Sequence, residues 1–149
     1  MDITIFSTPG HLINRAARLS SRVGEVRLRP LGVSVGQLPT LGALRDGKTM
    51  TQKDLAALAH IEQPTMAQTL SRMERDGLIQ RQTDPADKRS SLVRLTPEAM
   101  EKMIRVKEVL LQGNEEALEG FEETEKEMLV DLLRRVIVNL EAMAAREER

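Results

Sequence analysis

The stretch EQPTMAQTLSRMERDGLIQR, residues 62–81, decides the fold because it divides into two chemically different helix faces. At about 100° per residue, the apolar residues that share one side are Met66, Leu70 and Met73. The polar residues that cluster on the opposite side are Thr65, Gln68 and Arg72. A side that needed only solvation would more usually contain Glu and Lys, so this polar face calls for a functional explanation.

The two ends of this helix are indicated by Pro and Gly, whose backbone conformations differ from those of other residues. Pro64 suits the first helical position, where no backbone N–H is needed. Gly77 can adopt the left-handed conformation that ends many helices, and Leu78 could then contact Met73. We therefore expect the helix to stop near Asp76.

A shorter helix precedes it. Thr51 is a good N-cap, Asp54 follows three residues later in a near capping box, and the helical pattern continues to about Ala59. Only the four residues HIEQ separate the two helices, which is too few for anything but a tight turn. The pair predicts a helix-turn-helix.

The residues that follow predict a β-hairpin. Two short runs, LIQRQTD and SLVRLT, partly alternate apolar and polar residues and flank the turn-forming segment DPADKRS. A helix-turn-helix followed at once by a hairpin is a winged helix-turn-helix. The predicted fold class is mainly α-helical, with this small β-hairpin as the wing.

A winged helix-turn-helix explains the polar face. Gln can pair bidentately with adenine, Arg can pair with guanine, and Thr offers a hydroxyl or a methyl group, so the face suits a major groove. The candidate DNA-binding residues on the helix are Pro64, Thr65, Gln68, Thr69 and Arg72. On the wing, Lys88 and Arg89 are expected to meet the backbone or minor groove, and Asp87 to orient Arg89. Arg81 and Arg94 are better explained by pairing with acidic neighbours on the hairpin.

Helices flank the winged module on both sides. Thr8-Pro9 and Thr96-Pro97 each resemble an N-cap followed by Pro at the first helical position. The first opens a helix, and residues 34–45 suggest another. The second opens a long helix that ends at Gly113 or Gly120, and a last helix follows. The apolar stripes of the first and last helices are Leu12, Ala16, Leu19, Val23 and Val26, and Met128, Leu129, Leu132, Leu133, Val136, Ile137, Leu140 and Met143.

The composition excludes several classes of protein. The 149 residues make about one domain, and no apolar run approaches the roughly 18 residues that span a bilayer. With no Cys and two distant His, we expect no metal, no cofactor and no cysteine-based redox sensor. The start, MDITIFSTPGHL, lacks the regions of a secretory signal, so we expect a soluble cytoplasmic protein without a membrane partner.

Charge is segregated along the chain, although the formal net charge is only -1. Residues 1–107 hold 17 Lys and Arg against 11 Asp and Glu, whereas residues 108–149 hold 5 against 12. The basic part contains the helix-turn-helix and the wing. We therefore do not expect the acidic part to bind a polyanion.

The segment TQKDLAALAHIEQPTMAQTLSRMERDGLIQRQTDPADKRSSLVRLTPEA resembles the core of the MarR family of bacterial transcription regulators. Its most specific parts are LSRMERDGLIQR and the wing DPADKRSSLVRLT, where Asp87 and Arg89 form a D-x-R pattern that leads into VRLT. The resemblance maps the recognition helix to Pro64 through Arg75 and the minor-groove arginine to Arg89. Gln63 departs from the family pattern, in which Ser or Thr is frequent, and this puts a phosphate or capping contact in doubt.

The resemblance also implies an assembly and a mode of regulation. The N-terminal and C-terminal helices of two chains would form a homodimer that holds two winged modules apart. A small, often aromatic effector would bind between these helices and the winged module. The expected divisions are an N-terminal dimerisation helix over 1–30, the winged module over 31–97 and C-terminal dimerisation helices over 98–149.

Some of these features also have simpler explanations. Taken alone, the polar face of residues 64–75 could be merely solvated, and the eight Met residues are better explained as core than as a soft-metal site. His11 could line an effector pocket or, as a better explanation, lie at a dimer interface. The C-terminal stripe could be core within one chain, but burial by a partner chain explains it better.

The function expected from these features is sequence-specific binding of double-stranded DNA by a ligand-responsive homodimeric repressor on a pseudo-palindromic operator. An alternative is a winged-helix adaptor that binds proteins and not DNA, and that would tolerate loss of Arg72 and Arg89. An enzyme is not expected, because no Gly-rich phosphate loop, Ser-His pairing or HExxH motif is present.

Overall fold

The computed structural model describes residues 4–149, which contain six α-helices and three short strands besides four short 3-10 turns. Residues 1–3, where the segment examined for a secretory signal begins, lie outside the described residues. The elements in chain order are α1 (Pro9–Leu28), α2 (Leu38–Ala43), β1 (Met50–Thr51), α3 (Gln52–Ala59), α4 (Gln63–Arg75), β2 (Ile79–Thr83), β3 (Ser91–Leu95), α5 (Pro97–Ala117) and α6 (Glu123–Glu147). The predicted class, mainly helical with a small β wing, is confirmed.

The predicted helix-turn-helix is formed by α3 and α4. The Thr51 hydroxyl accepts a hydrogen bond from the Asp54 N–H at 3.2 Å and caps α3. At the other end His60 adopts a left-handed conformation, with φ of 54°. The next N–H, of Ile61, donates to the carbonyl of Ala56 at 3.0 Å. This bonding closes the helix in the Schellman manner, with histidine where glycine is usual.

The recognition helix α4 begins one residue earlier than expected. Pro64 is its second residue, and the N-cap is Glu62, whose side chain makes no capping hydrogen bond. The helix ends as predicted, because Gly77 has φ of 75° and the Leu78 N–H donates to the Met73 carbonyl at 2.8 Å. Pro64 tolerates either position, since neither of the first two N–H groups has a partner within a helix.

The wing is part of a three-stranded antiparallel sheet in the order β1-β3-β2, not an isolated hairpin. The hairpin predicted from the sequence is β2 and β3, in register from Ile79 opposite Leu95 to Thr83 opposite Ser91. The unpredicted strand β1 pairs Met50 with Val93. A two-residue strand has no detectable periodicity, so sequence patterning could not reveal it.

A single core cluster lies beneath the helix-turn-helix and the sheet. It combines residues from α1, α2, α3 and α4 with β2, β3 and α5. The largest side chains that are fully buried in it are Leu28, Leu41, Leu44, Leu55, Met66, Leu70, Met73, Leu78, Val93 and Val106. Aliphatic and Met side chains thus fill the core, as expected of a chain with two aromatic residues.

The helix predicted over residues 34–45 is shorter in the structure. A single 3-10 turn, Val35–Gln37, is followed by the six residues of α2. The Gln37 side chain accepts from the Ser34 N–H at 3.0 Å and fixes the turn. This local hydrogen bond delays the start of the α-helix, which an apolar pattern alone does not reveal.

The two long C-terminal helices form as predicted, α5 from its cap and α6 from its apolar stripe. Thr96 caps α5 by accepting from the Ala99 N–H at 3.2 Å, and its hydroxyl donates to the Gly77 carbonyl at 2.7 Å. Helix α5 continues through Gly113, and Gly120 has φ of 85° before α6. One compact unit of the chain ends at Leu111 and the second is Gln112–Arg149. Within residues 4–149, no helix is long and apolar enough to span a membrane.

Candidate nucleic-acid interface

The two faces of α4 are separated in the structure as its sequence predicts. Met66, Leu70 and Met73 have no exposed surface, and they anchor the helix in the core. The candidate residues that point away from the core and are exposed are Pro64, Thr65, Gln68 and Arg72. The buried face fixes the rotation of the helix, so these four side chains are presented together to any molecule that approaches α4.

Thr69 differs from the other candidate residues on α4. It is only partly exposed, and its hydroxyl donates a hydrogen bond to the Thr65 carbonyl at 3.0 Å. The donor of Thr69 is therefore used within the helix. What it can offer to a base is its methyl group and the lone pairs of its oxygen.

The wing tip is fixed by carboxylates that bond to their own loop. One oxygen of Asp84 accepts from a backbone N–H two residues later at 2.9 Å, and the other accepts from the Ser90 hydroxyl at 3.3 Å. Asp87 accepts from the backbone N–H of Arg89 at 3.0 Å. Asp87 thus holds the main chain of Arg89, while the side chains of Lys88 and Arg89 are exposed. From the sequence alone, Asp84 was expected only to form part of the turn.

The exposed basic side chains at the centre of this surface have no acidic partner among the described residues. Within residues 4–149, Arg72, Lys88 and Arg89 form no ion pair. By contrast, Arg75 in the last turn of α4 contacts the adjacent carboxylate of Asp76 at 3.3 Å. The three unpaired cations are therefore available to an external anion.

Arg81 and Arg94 each have a partner within the protein. Arg81 contacts Glu74 at 3.4 Å, so its acidic partner lies on α4 and not on the hairpin as expected. Arg94 faces its cross-strand neighbour Gln80, whose amide oxygen accepts two bonds at 2.9 and 3.0 Å in the orientation that satisfies both groups. Leaving both arginines out of the candidate site agrees with these contacts.

An open cavity of about 510 Å³ lies between the starts of α3 and α4 and the wing. It brings Arg89 close to Lys53, a cation that sequence reasoning did not select. Lys53 is exposed and has no ion pair within residues 4–149. Its position in the first turn of α3, within the predicted helix-turn-helix, was the signal that could have identified it. The other lining residues are Thr51, Gln52, Gln63, Asp84, Asp87, Ser90 and Ser91.

The described residues contain no cluster of potential metal ligands. Among the residues that the structure describes, no three His, Asp or Glu side chains are placed to hold a metal ion.

The model of the MarR family matches residues 31–90, which include the helix-turn-helix and the wing. A transcriptional regulator from Bacillus subtilis, the uncharacterised HTH-type protein YwoH, is 36% identical over 124 residues, which are 83% of this chain and 90% of YwoH. The chain belongs to the MarR family. As a member of that family it is a DNA-binding transcription regulator and not an enzyme.

Solved MarR-family structures share the fold along most of the chain. A mutant of MarR from Escherichia coli, solved in complex with operator DNA, has a TM-score of 0.81 at 22% identity and covers 90% of this chain and 99% of its own. PcaV from Streptomyces coelicolor, solved with its natural ligand, has a TM-score of 0.79 at 27% identity and covers 92% and 96%. These similarities extend beyond the winged module to the flanking helices.

Proposed function

We propose that this MarR-family regulator is a repressor that binds a pseudo-palindromic operator as a homodimer, with one α4 in the major groove of each half-site. One observation supports this most directly. Thr65, Gln68 and Arg72 are exposed together on α4, beside a wing whose Lys88 and Arg89 have no ion pair within residues 4–149. Occupation of the operator would block access of polymerase to the promoter.

We assign discrimination between DNA sequences to the exposed face of α4. Arg72 can form two hydrogen bonds to guanine and Gln68 can form two to adenine. Thr65 offers its hydroxyl and methyl group, whereas Thr69 offers only its methyl group and oxygen lone pairs. Pro64 lies in the first turn of α4, where it would pack against the DNA backbone.

We assign to the wing the part of the affinity for DNA that does not depend on the base sequence. Lys88 and Arg89 would contact phosphates or enter the neighbouring minor groove. Asp87 would act through the protein, because it accepts the N–H of Arg89 and so holds the main chain from which that guanidinium projects.

The proposed homodimer rests on apolar surface that one chain leaves exposed. Helix α6 has no buried residue, and Met128 and Ile137 are 61% and 51% exposed. On α1, Leu12 and Val26 are 50% and 59% exposed. A unit as short as residues 112–149 is below the roughly 40 residues that usually build a stable core alone. We propose dimerisation segments over 1–30 and 98–149, on either side of a winged module over 31–97.

Regulation by a small, often aromatic effector is the last part of the proposal. PcaV was solved with a natural ligand, which supports a similar response here. A ligand that releases DNA must bind two forms of the dimer with different affinities. It must bind the form whose two α4 helices are wrongly spaced for the operator more tightly than it binds the DNA-bound form. Equal affinity of such a ligand for the free and the DNA-bound protein would refute this mechanism.

The test is selection of bound sequences from a pool of random duplexes at two salt concentrations. The expected result is an enriched inverted repeat, with binding that weakens as salt rises. The matched variant Arg72→Ala should retain a broader set of sequences. Absence of retention by the wild-type protein at low salt would favour the alternative, an adaptor that binds other proteins.

A further inference from the structure

An ion pair links strand β2 of the wing to the recognition helix. The Nε atom of Arg81 lies 3.4 Å from a carboxylate oxygen of Glu74, and the two side chains are 27% and 49% exposed, so water screens the pair only in part. Arg81 is in the middle of β2, and Glu74 is in the last turn of α4. The pair therefore joins the two elements on which the proposed DNA contacts depend.

Glu74 does not belong to the face of α4 that we expect to contact DNA. At about 100° per residue, it points about 120° or more away from Thr65, Gln68 and Arg72. It lies instead within about 40° of Leu70, which is fully buried. The carboxylate of Glu74 is thus placed beside the body of the protein, where it can hold another element without repelling phosphates.

Arg81 lies where one side of β2 changes from buried to exposed. Side chains two residues apart on a strand point to the same side, so Arg81 shares a side with Ile79, which is buried. The residue opposite Arg81 on β3 is Val93, which is also buried. Thr83, the next residue on this side of β2, is exposed. Arg81 is therefore at the boundary between the anchored part of the strand and the projecting wing.

The strand that contains Arg81 is at the edge of the sheet. The order β1-β3-β2 places β3 in the middle, so β2 has a strand neighbour on one side only. At the base of the wing, the Thr96 N–H and hydroxyl donate to the carbonyls of Leu78 and Gly77 at 3.0 and 2.7 Å. The Glu74–Arg81 pair acts further along β2 than these bonds, and it can therefore restrict movement of the strand that they do not reach.

We propose that Glu74 and Arg81 are positioning residues, whose ion pair holds β2 against α4 and so fixes Arg89 relative to Arg72. The proposal rests on the DNA-binding surface proposed above. A guanidinium that is already in place loses less conformational freedom when it binds a phosphate, so a fixed wing binds DNA more tightly than a mobile one. Neither Glu74 nor Arg81 needs to touch DNA for this effect.

The test measures affinity for mixed-sequence duplex DNA at low salt, because the contribution assigned to the wing does not depend on base sequence. The variants are Glu74→Gln, Arg81→Gln and the exchanged pair, Glu74→Arg with Arg81→Glu. The controls, Glu108→Gln and Arg105→Gln, remove the same charges from an ion pair of 2.7 Å on α5. Urea unfolding of each variant shows whether it is folded.

We expect Glu74→Gln to weaken binding about twofold to fivefold, the range for a partly exposed ion pair. This direction is informative, because loss of a negative charge alone would strengthen binding to a polyanion. Arg81→Gln should weaken binding at least as much, and the exchanged pair should regain most of the loss. The two controls should have little effect, since they lie outside the proposed DNA-binding surface.

The same substitution in an Arg89→Ala background separates positioning from a general loss of stability. If the pair acts by placing Arg89, Glu74→Gln should have no further effect on affinity once that guanidinium is absent. A substitution that only destabilised the fold would weaken binding equally in both backgrounds.

Three results would overturn the proposal in distinguishable ways. Stronger binding by Glu74→Gln, together with a smaller salt slope for Arg81→Gln, would show that Arg81 itself contacts phosphate. Equal effects of Glu74→Gln with and without the Arg89 side chain would show that the pair does not position it. Both results would leave the proposed function intact, whereas absence of duplex binding by the wild-type protein at low salt would reject that function itself.

Discussion

At the scale of single residues, Arg72 is the side chain from which we expect the largest effect on sequence discrimination. It is exposed on α4 and has no ion pair within residues 4–149. Arg72→Ala should weaken binding to the selected operator by about 1–3 kcal/mol and relax preference at one base pair. Competition binding against operators changed at each position measures both effects. Arg105→Ala on α5, which removes the same charge, should leave the preference unchanged.

Substitution of two glycines by alanine distinguishes the effect of backbone strain on stability from the effect of side-chain packing. At Gly77 and at Gly42 a Cβ atom would meet nothing within 4 Å, but only Gly77 has a positive φ. Gly77→Ala should therefore destabilise the fold by about 1–2 kcal/mol, the cost of a left-handed non-glycine residue. Gly42→Ala, within α2, should stabilise it by about 0.4–1 kcal/mol. Urea unfolding of the two variants measures the difference, and equal effects would contradict the assignment of strain to Gly77.

At the scale of elements, the features that depend on local chemistry were predictable from the sequence. The faces and the end of α4 follow from periodicity and from one glycine, and the caps of α3 and α5 follow from Thr51 and Thr96. The strand β1 was missed because its pairing with β3 involves residues more than 40 positions apart. Lys53 joins Arg89 at one cavity only after the chain has folded, so spacing alone did not select it.

The contribution of the wing to DNA binding can be tested at Arg89. The backbone of Arg89 is held by Asp87, and its side chain is exposed without an ion pair within residues 4–149. Arg89→Ala should weaken binding to every sequence and reduce the slope of log affinity against log salt by about 1. Titrations at several salt concentrations measure the slope. An unchanged slope would mean that Arg89 releases no counterion and does not contact DNA.

At the scale of the whole molecule, the two compact units differ in how much they bury. The unit that ends at Leu111 contains all of the core cluster, whereas α6 in the second unit buries no residue. The stability of the first unit is therefore internal, while the apolar stripe of α6 needs another surface to cover it. This difference is visible only in part from the sequence, where the stripe fits a core or an interface and burial by a partner chain is only the better of the two explanations.

A chain that stops after Leu111 tests this division. It keeps the core cluster, so we expect it to fold, but it lacks α6 and should be monomeric by sedimentation. Two linked winged modules gain roughly 10²–10⁴ in affinity when both half-sites are bound. The full chain should therefore prefer a complete operator to a half-site by a factor of this order, whereas the shortened chain should bind both about equally. A shortened chain that stays dimeric and keeps the preference would place the dimer contacts before residue 112, on α1 and the first part of α5.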